Sequence, residues 1–419
     1  MKRSVKDSII MNILTALCVL CLGACLSACS APGTGGASAA GTQKETSGGF
    51  ESAPAGAGAE ASAGNDSVIS SAGSKADTGE NAPEKTENIL QGDAERAAAG
   101  TGSDIHAALS EEYADTVPEF VLIYAENQSY DYPTTQGAYL FARMVHERTE
   151  GRIQIRIYAN AELGSEEDLI DQLTYGGCDF MRASVATLTE YNPEANVLMM
   201  PYLYDSKEQM WNVLLGEIGD ELMKSFEGTG IVPLNWYDAG VRNFYFSEPI
   251  RSVGDLAGKR IRVQDSALMQ DFIRLIGGEP VITVFDDVYE ALETERVAGA
   301  ENNWNSYESM GHYEVAPYYV LDGHTRIPEL VLMSGVTMEK ISEEDAAIIR
   351  ECARSATDYE RAIWQEREEE SRKLVISSGT EVIEFSDGDI EKLREIVAPL
   401  YEQYCGEYMD LIERIRATE

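Results

Sequence analysis

Lys259-Arg260-Ile261-Arg262-Val263 alternates apolar and cationic residues, the pattern of a strand whose two faces meet different surroundings. Outward from it the pattern repeats with helices between. Ala267 to Ile276 reads as a helix, Val281 to Val284 as a strand and Asp287 to Thr294 as a second helix. Upstream, Glu119 to Tyr124 is a short apolar run, and Thr135 to Thr149 carries helical spacing at Tyr139, Leu140, Ala142, Met144 and Val145. Arg152 to Tyr158 alternates strictly, Ser165-Glu166-Glu167-Asp168 opens a helix as a capping box, and Asp179-Phe180-Met181 and Ile231 to Tyr237 are strands around a helix near Lys207 to Phe226. Strands alternating with helices predict α/β architecture, with largely parallel sheets covered on both faces. Past Met333 the chain turns helical, with Ser342-Glu343-Glu344-Asp345 capping a long amphipathic helix to about Leu374 and a last helix over Asp389 to Arg416. A chain of 419 residues exceeds what one core usually organises, so two lobes are expected. In open sheets of this kind a ligand sits beyond the carboxyl ends of the strands.

The charge is far from balanced. Lys plus Arg number 33 against 72 Asp plus Glu, a net of -39. So acidic a surface argues against nucleic acid and anionic lipid as partners. It leaves room for an anionic ligand, because charges are screened beyond about 8 Å at physiological salt and local arginines set the potential inside a cleft.

The first 117 residues have a different composition. Lys2, Arg3 and Lys6 precede the apolar run Ile9 to Leu22, which is short for a spanning helix and reads as a secretory signal. It closes on Leu26-Ser27-Ala28-Cys29, the small-residue-plus-cysteine pattern of a lipoprotein signal over residues 1–29; Leu22-Gly23-Ala24-Cys25 has the same shape. Lipidation is therefore expected at Cys29 or at Cys25, which places the protein on the outer face of the cell membrane without spanning it. An ordinary signal peptide with incidental cysteines is the other reading. Residues 30–117 are Gly, Ala, Ser, Thr, Glu and Asn with few large apolar residues. They are expected to be a disordered tether, with a mean reach of about 50 Å.

Catalytic patterns are missing. His106, His146, His312 and His324 show no ligand spacing, so no metal is expected. No Walker loop, dinucleotide-binding glycine pattern or nucleophile elbow occurs, so the chain does not read as an enzyme and no cofactor is expected. Cys178, Cys352 and Cys405 are scattered and read as free thiols. What stands out is a set of arginines at strand ends: Arg182, Arg242 after Ala239-Gly240, and Arg262 inside its strand. A buried guanidinium needs a partner. A ligand carboxylate supplies two charge-assisted bonds, but so does any of the 72 acids, and structural ion pairs are the commoner case. Ala300-Glu301-Asn302-Asn303-Trp304 sets amides beside an indole, equipment for holding a polar small molecule, though a surface turn would look similar.

Taken in order, a series of segments resembles the solute-binding (DctP-type) proteins of TRAP transporters, the tripartite ATP-independent systems, over about Phe120 to Lys373. They are Leu163-Gly164-Ser165-Glu166, Met200-Pro201-Tyr202-Leu203-Tyr204, Gly240-Val241-Arg242, Asp255-Leu256-Ala257-Gly258-Lys259-Arg260-Ile261-Arg262-Val263, Val288-Tyr289-Glu290-Ala291-Leu292, Gly299-Ala300-Glu301-Asn302-Asn303-Trp304, His312-Tyr313-Glu314-Val315 and His324-Thr325. The resemblance implies a periplasmic-binding-protein-like clamp with hinge strands and a long helix crossing both lobes. The lobes are then 118–239 plus 328–370, and 240–327 plus 371–419. It implies that Arg262 binds the ligand carboxylate, that Arg242 and Asn302 share the pocket, and that Arg182, Glu166, Trp304 and Asn127 are further pocket candidates. Ala298 stands where the family commonly has an acid. The Asn303-Trp304 pair resembles the members that take sugar acids, so a hexuronate is the first expectation. The implied partners are a small organic acid, the small DctQ-type and large DctM-type membrane subunits, and the membrane itself through the lipid anchor. The alternative is a solute-binding sensor for a C4-dicarboxylate or sialic acid that feeds a receptor. In either case the predicted cycle is lobe closure around the acid by hinge bending.

Overall fold

The computed structural model describes residues 117–419. The expected signal, its cysteines Cys25 and Cys29, and the tether up to residue 116 lie outside the described residues.

The first lobe is built on a five-stranded sheet in the order β2-β1-β3-β10-β4, formed by β1 (Phe120–Ala125), β2 (Ile153–Tyr158), β3 (Phe180–Ser184), β4 (Ile231–Tyr237) and β10 (Glu329–Ser334). The second has six strands in the order β11-β9-β5-β8-β6-β7: β5 (Arg242–Phe246), β6 (Arg260–Val263), β7 (Glu279–Ile282), β8 (Gly299–Asn302), β9 (Tyr318–Thr325) and β11 (Glu381–Glu384). The alternation in β2 is realised as read: Ile153, Ile155 and Ile157 are buried while Arg156 is exposed. Each buried isoleucine contributes about 1.5–3 kcal/mol of transfer free energy. Above them Tyr124, Phe141 and Phe180 pack with ring centroids 5.5–6.5 Å apart.

The sheets are mixed rather than largely parallel, and the reason lies in the crossings. β1, β2 and β3 are parallel, but β10 runs antiparallel to β3 and β4. In the second sheet β5 runs antiparallel to β8 and β9. These two strands are the ones entered directly from the other lobe. A chain that leaves one sheet at its cleft end enters the other at its cleft end, and so runs against its neighbours. The first crossing, residues 238–241, contains Gly240 at φ +63, where a Cβ would come within 2.8 Å of Glu368 Oε1. The left-handed φ strains a residue with a side chain, and the Glu368 carboxylate would have to swing aside.

Helix α1 (Pro133–Arg148) covers one face of the first sheet, and α2 (Glu166–Tyr175) starts where Ser165 Oγ accepts from the Asp168 amide at 3.2 Å. The helix expected near Lys207 to Phe226 is two helices, α3 (Lys207–Leu214) and α4 (Glu217–Lys224), parted at Gly216. In the second lobe α5 (Ala267–Leu275), α6 (Val288–Glu293) and α7 (Trp304–Ser309) follow strands β6, β7 and β8. The long helix is α8 (Glu343–Ser377), 35 residues or about 52 Å at 1.5 Å per residue. Ile349, Cys352, Ala353, Ala356, Glu360 and Trp364 line its buried stripe at helical spacing. It packs against α1 and β4 in one lobe and α7 in the other. The final helix expected over Asp389 to Arg416 is broken into α9 (Asp387–Val397), α10 (Pro399–Cys405) and α11 (Met409–Ala417). Pro399 has no amide hydrogen to continue α9, so it begins a helix instead.

Candidate functional site

The carboxyl ends of β1, β3, β6, β7 and β8 converge between the lobes, and with them the three arginines singled out in the sequence. All three are buried. Their partners differ.

Arg182, on β3, is surrounded by acid. Its Nε donates to Glu126 Oε1 at 3.0 Å, its Nη1 to Glu166 Oε2 at 2.8 Å and Glu329 Oε2 at 2.5 Å, and its Nη2 to Asn127 Oδ1. Glu166 is held in turn by the Ser184 amide at 2.9 Å and the Thr187 hydroxyl at 2.7 Å. One guanidinium against three carboxylates leaves excess negative charge. Burial, with Glu166 and Glu126 close by, pushes the Glu329 carboxyl up to about 7 even though Arg182 opposes the shift.

Arg242, the first residue of β5, is neutralised by the neighbouring strand. It forms a fork on Glu301, with Nη2 to Oε1 at 2.9 Å and Nε to Oε2, and its Nη1 donates to Asn302 Oδ1 at 3.0 Å. Burial would raise the Glu301 carboxyl, but Arg242 and His324 hold it at about 2. Burial would lower His324, yet Asp322, 2.7 Å from its Nδ1, and Glu301 lift it to about 9. Acidic and basic side chains alternate along Asp322–His324–Glu301–Arg242, so each offsets the burial of its neighbour.

Arg262, on β6, is the exception. It is 2% exposed, its Nε donates to the Thr283 carbonyl at 2.8 Å, and no carboxylate stands within ion-pair distance among the described residues. Burial lowers its affinity for the proton, with Glu301 opposing the shift and Arg242 adding to it. Removing a guanidinium from water without an ion-pair partner in contact is costly. The side chain forms part of the wall of a narrow cavity of about 20 Å³, together with Asn127, Ser165, Glu166, Glu167 and Thr187 from the first lobe and Gln264, Phe285 and Asp286 from the second. That is room for about one water, so a small molecule fits there only when the two walls part. A larger open concavity, about 690 Å³, runs along the free edge of β4 and includes Arg350 and Arg354. It has no buried cation and lies away from the carboxyl ends of the strands.

Of the seven residues expected in the pocket, Arg262, Glu166 and Asn127 share this wall. Arg182 stands behind it on Glu166 and Asn127. Arg242 and Asn302 are bonded to each other. Trp304 is stacked on Tyr319 at 3.7 Å between ring centroids, in an aromatic cluster with Tyr307, and is not in the cavity wall. Sequence reasoning missed Ser165, Glu167 and Thr187 of the first lobe and Gln264, Phe285 and Asp286 of the second. The three of the second lobe come just after predicted strands, so the carboxyl-end rule would have reached them. The lobes also touch where Tyr132 Oη, at the start of α1, meets Ser306 Oγ of α7 at 2.9 Å, with Trp364 of α8 edge-on to the Tyr132 ring.

Two α/β lobes joined by crossing segments, with a buried cation between them that has no ion-pair partner in contact among the described residues, define a solute-binding clamp. The chain belongs to the DctP family, the bacterial extracellular solute-binding proteins of family 7, whose model matches residues 124–407. A solute-binding protein of Chromohalobacter salexigens is 34% identical over 281 residues, which are 67% of this chain and 83% of that protein. The crystal structure of a TRAP periplasmic solute-binding protein from Xanthobacter autotrophicus Py2 with bound β-D-galacturonate superposes with a TM-score of 0.69 at 35% identity, over 71% of this chain and all of that one. A TRAP periplasmic solute-binding protein from Pseudomonas putida F1 with bound D-glucuronate gives 0.70 at 30% identity, over 72% and 98%. Among the described residues no helix is long and apolar enough to cross a membrane.

Proposed function

We propose that this chain is the extracytoplasmic solute-binding subunit of a tripartite ATP-independent transporter and that it captures a hexuronate. The observation that carries the proposal is Arg262, a buried cation that faces the interlobe cavity without a carboxylate of its own. A ligand carboxylate supplies two charge-assisted hydrogen bonds there and removes the desolvation penalty. Both lobes contribute to the wall, so the solute enters with the walls parted and its contacts to both favour the closed clamp. The solved relatives with galacturonate or glucuronate bound support a sugar acid as the solute.

Several finer features belong to the same proposal. The lobes divide as 118–239 plus 328–370 and 240–327 plus 371–419. Arg242 and Asn302 set the floor beside Arg262, and Arg182 positions Glu166 and Asn127 from behind. Cys29, or Cys25, carries a lipid that holds the protein at the outer face of the membrane, where a small DctQ-type and a large DctM-type subunit receive the solute. The solute leaves chemically unchanged. A thermal-shift screen of D-galacturonate, D-glucuronate, aldonates, sialic acid and C4-dicarboxylates tests this, with Arg262→Ala as control. A shift with a hexuronate that is lost in the variant is expected. Equal shifts in both proteins would remove Arg262 from the site.

A further inference from the structure

Beside Arg262 and the neutral Asn127, Ser165 and Thr187, the cavity wall carries carboxylates. Glu167 and Asp286 face it from opposite lobes, and Gln264 contributes a buried amide oxygen without a hydrogen-bond partner among the described residues. The adjoining concavity shares Glu167 and Thr187 with the cavity and adds Asp171, Glu190 and Asp265, so the negative wall continues outward. Behind it, Arg182 carries three carboxylates, a surplus of acid on the first-lobe side. One cationic point is thus set in an acidic, acceptor-rich surround. Burial, with Glu166 and Asp287 as respective neighbours, raises the carboxyls of Glu167 and Asp286, while Arg262 draws both back down.

We propose that Glu167 and Asp286 are specificity-determining residues that restrict the solute to one carboxylate and reject dicarboxylates, reading the rest of the molecule as hydroxyl donors. This rests on Arg262 taking the solute carboxylate. With that end fixed, the remainder of a small acid extends toward Glu167, Asp286 and Gln264. A hydroxyl there donates to an ionised oxygen, a charge-assisted bond. A second carboxylate has nothing to donate and meets like charge, the repulsive element that turns affinity into specificity. An acidic residue is a more effective filter than a neutral amide, because it rewards the donor and penalises the anion at one position.

The test is isothermal titration of the full chain with D-galacturonate, galactarate and L-galactonate. Galactarate has the same carbon skeleton with a second carboxylate. L-Galactonate is open-chain with one carboxylate and controls for loss of the ring. The wild-type protein is expected to bind L-galactonate at least tenfold more tightly than galactarate. In the double variant Glu167→Gln, Asp286→Asn that ratio is expected to fall at least tenfold, with galacturonate binding weakened. Thermal melts of the variant show that it folds, and each single variant serves as a second reading. Wild-type binding of galactarate within threefold of L-galactonate, or an unchanged ratio in folded variants, overturns the proposal while leaving the carboxylate site intact. If no monocarboxylate binds, or if binding survives Arg262→Ala, the site itself is misassigned and the filter goes with it.

Discussion

Replacing Arg262 by methionine separates binding from folding, because the structure sets the two effects in opposite directions. The guanidinium makes one hydrogen bond, to the Thr283 carbonyl at 2.8 Å, and is otherwise a desolvated charge with burial working against it. Losing that bond costs about 0.5–1.5 kcal/mol. Removing an uncompensated buried charge returns a comparable amount or more, since the effective penalty per buried ion is several kcal/mol. Methionine retains most of the apolar stem. The unliganded variant is therefore expected to be as stable as wild type within about 1 kcal/mol, or more stable. Binding should fall steeply. Truncating one side of a buried charge pair costs about 2–5 kcal/mol, which at about 1.4 kcal/mol per factor of ten is roughly 30- to 4,000-fold in Kd. Urea unfolding of the ligand-free protein and titration with D-galacturonate measure the two sides. Wild-type affinity in the variant would refute the assignment. So would a loss of more than about 3 kcal/mol in the ligand-free protein, which would make Arg262 a structural cation with a partner.

Arg182→Met should do the reverse. It leaves Glu126, Glu166 and Glu329 buried without their cation, so a loss of about 3–5 kcal/mol of stability is expected by urea unfolding, and a loss below about 1 kcal/mol would deny the cluster that role. Glu329 makes stability pH-dependent. Its carboxyl is raised from an ordinary 4.5 to about 7, so the folded state holds its proton the more tightly. Stability relative to Glu329→Gln is thus greatest below about pH 4 and is lost as pH rises to about 7, by at most about 3 kcal/mol. A difference between the two proteins that stays constant from pH 4 to 8 would show that no such proton is held. Tyr132→Phe removes the hydroxyl that meets Ser306 across the lobes and is expected to weaken solute binding about two- to tenfold, read by titration, with little change in the melting of the unliganded protein. An unchanged Kd would mean that this contact does not favour the closed form.

Why the sequence disclosed the elements more fully than the site follows from how far apart the interacting residues lie. Periodicity is a local property, so β2, α2 and the start of α8 could be read directly from Arg152 to Tyr158, Ser165 and Ser342. Strand direction is not local. It depends on which sheet a strand enters, and nothing within Arg242–Phe246 or Glu329–Ser334 shows that the chain has just crossed between lobes. The arginines illustrate the same limit. Composition favoured structural ion pairs, and Arg182 and Arg242 have them, but with Glu126 56 residues away, Glu329 147 away and Glu301 59 away. That Arg262 differs is visible only once the surrounding acids have been placed. Trp304 looked like a ligand plate beside Asn303, yet Tyr319, 15 positions downstream, stacks on it.

The three body cysteines have a practical consequence. Cys178, Cys352 and Cys405 are buried and unpaired, and burial pushes their thiols up to about 12, 11 and 12. The nucleophilic thiolate is then scarce at neutral pH and screened from reagents, so the body is silent toward maleimides. A single pair of introduced surface cysteines, one on each lobe of the mature body, would carry fluorophores without a background-free mutant having to be made first. The distance between those dyes, followed molecule by molecule, converts clamp closure into a signal that can be counted.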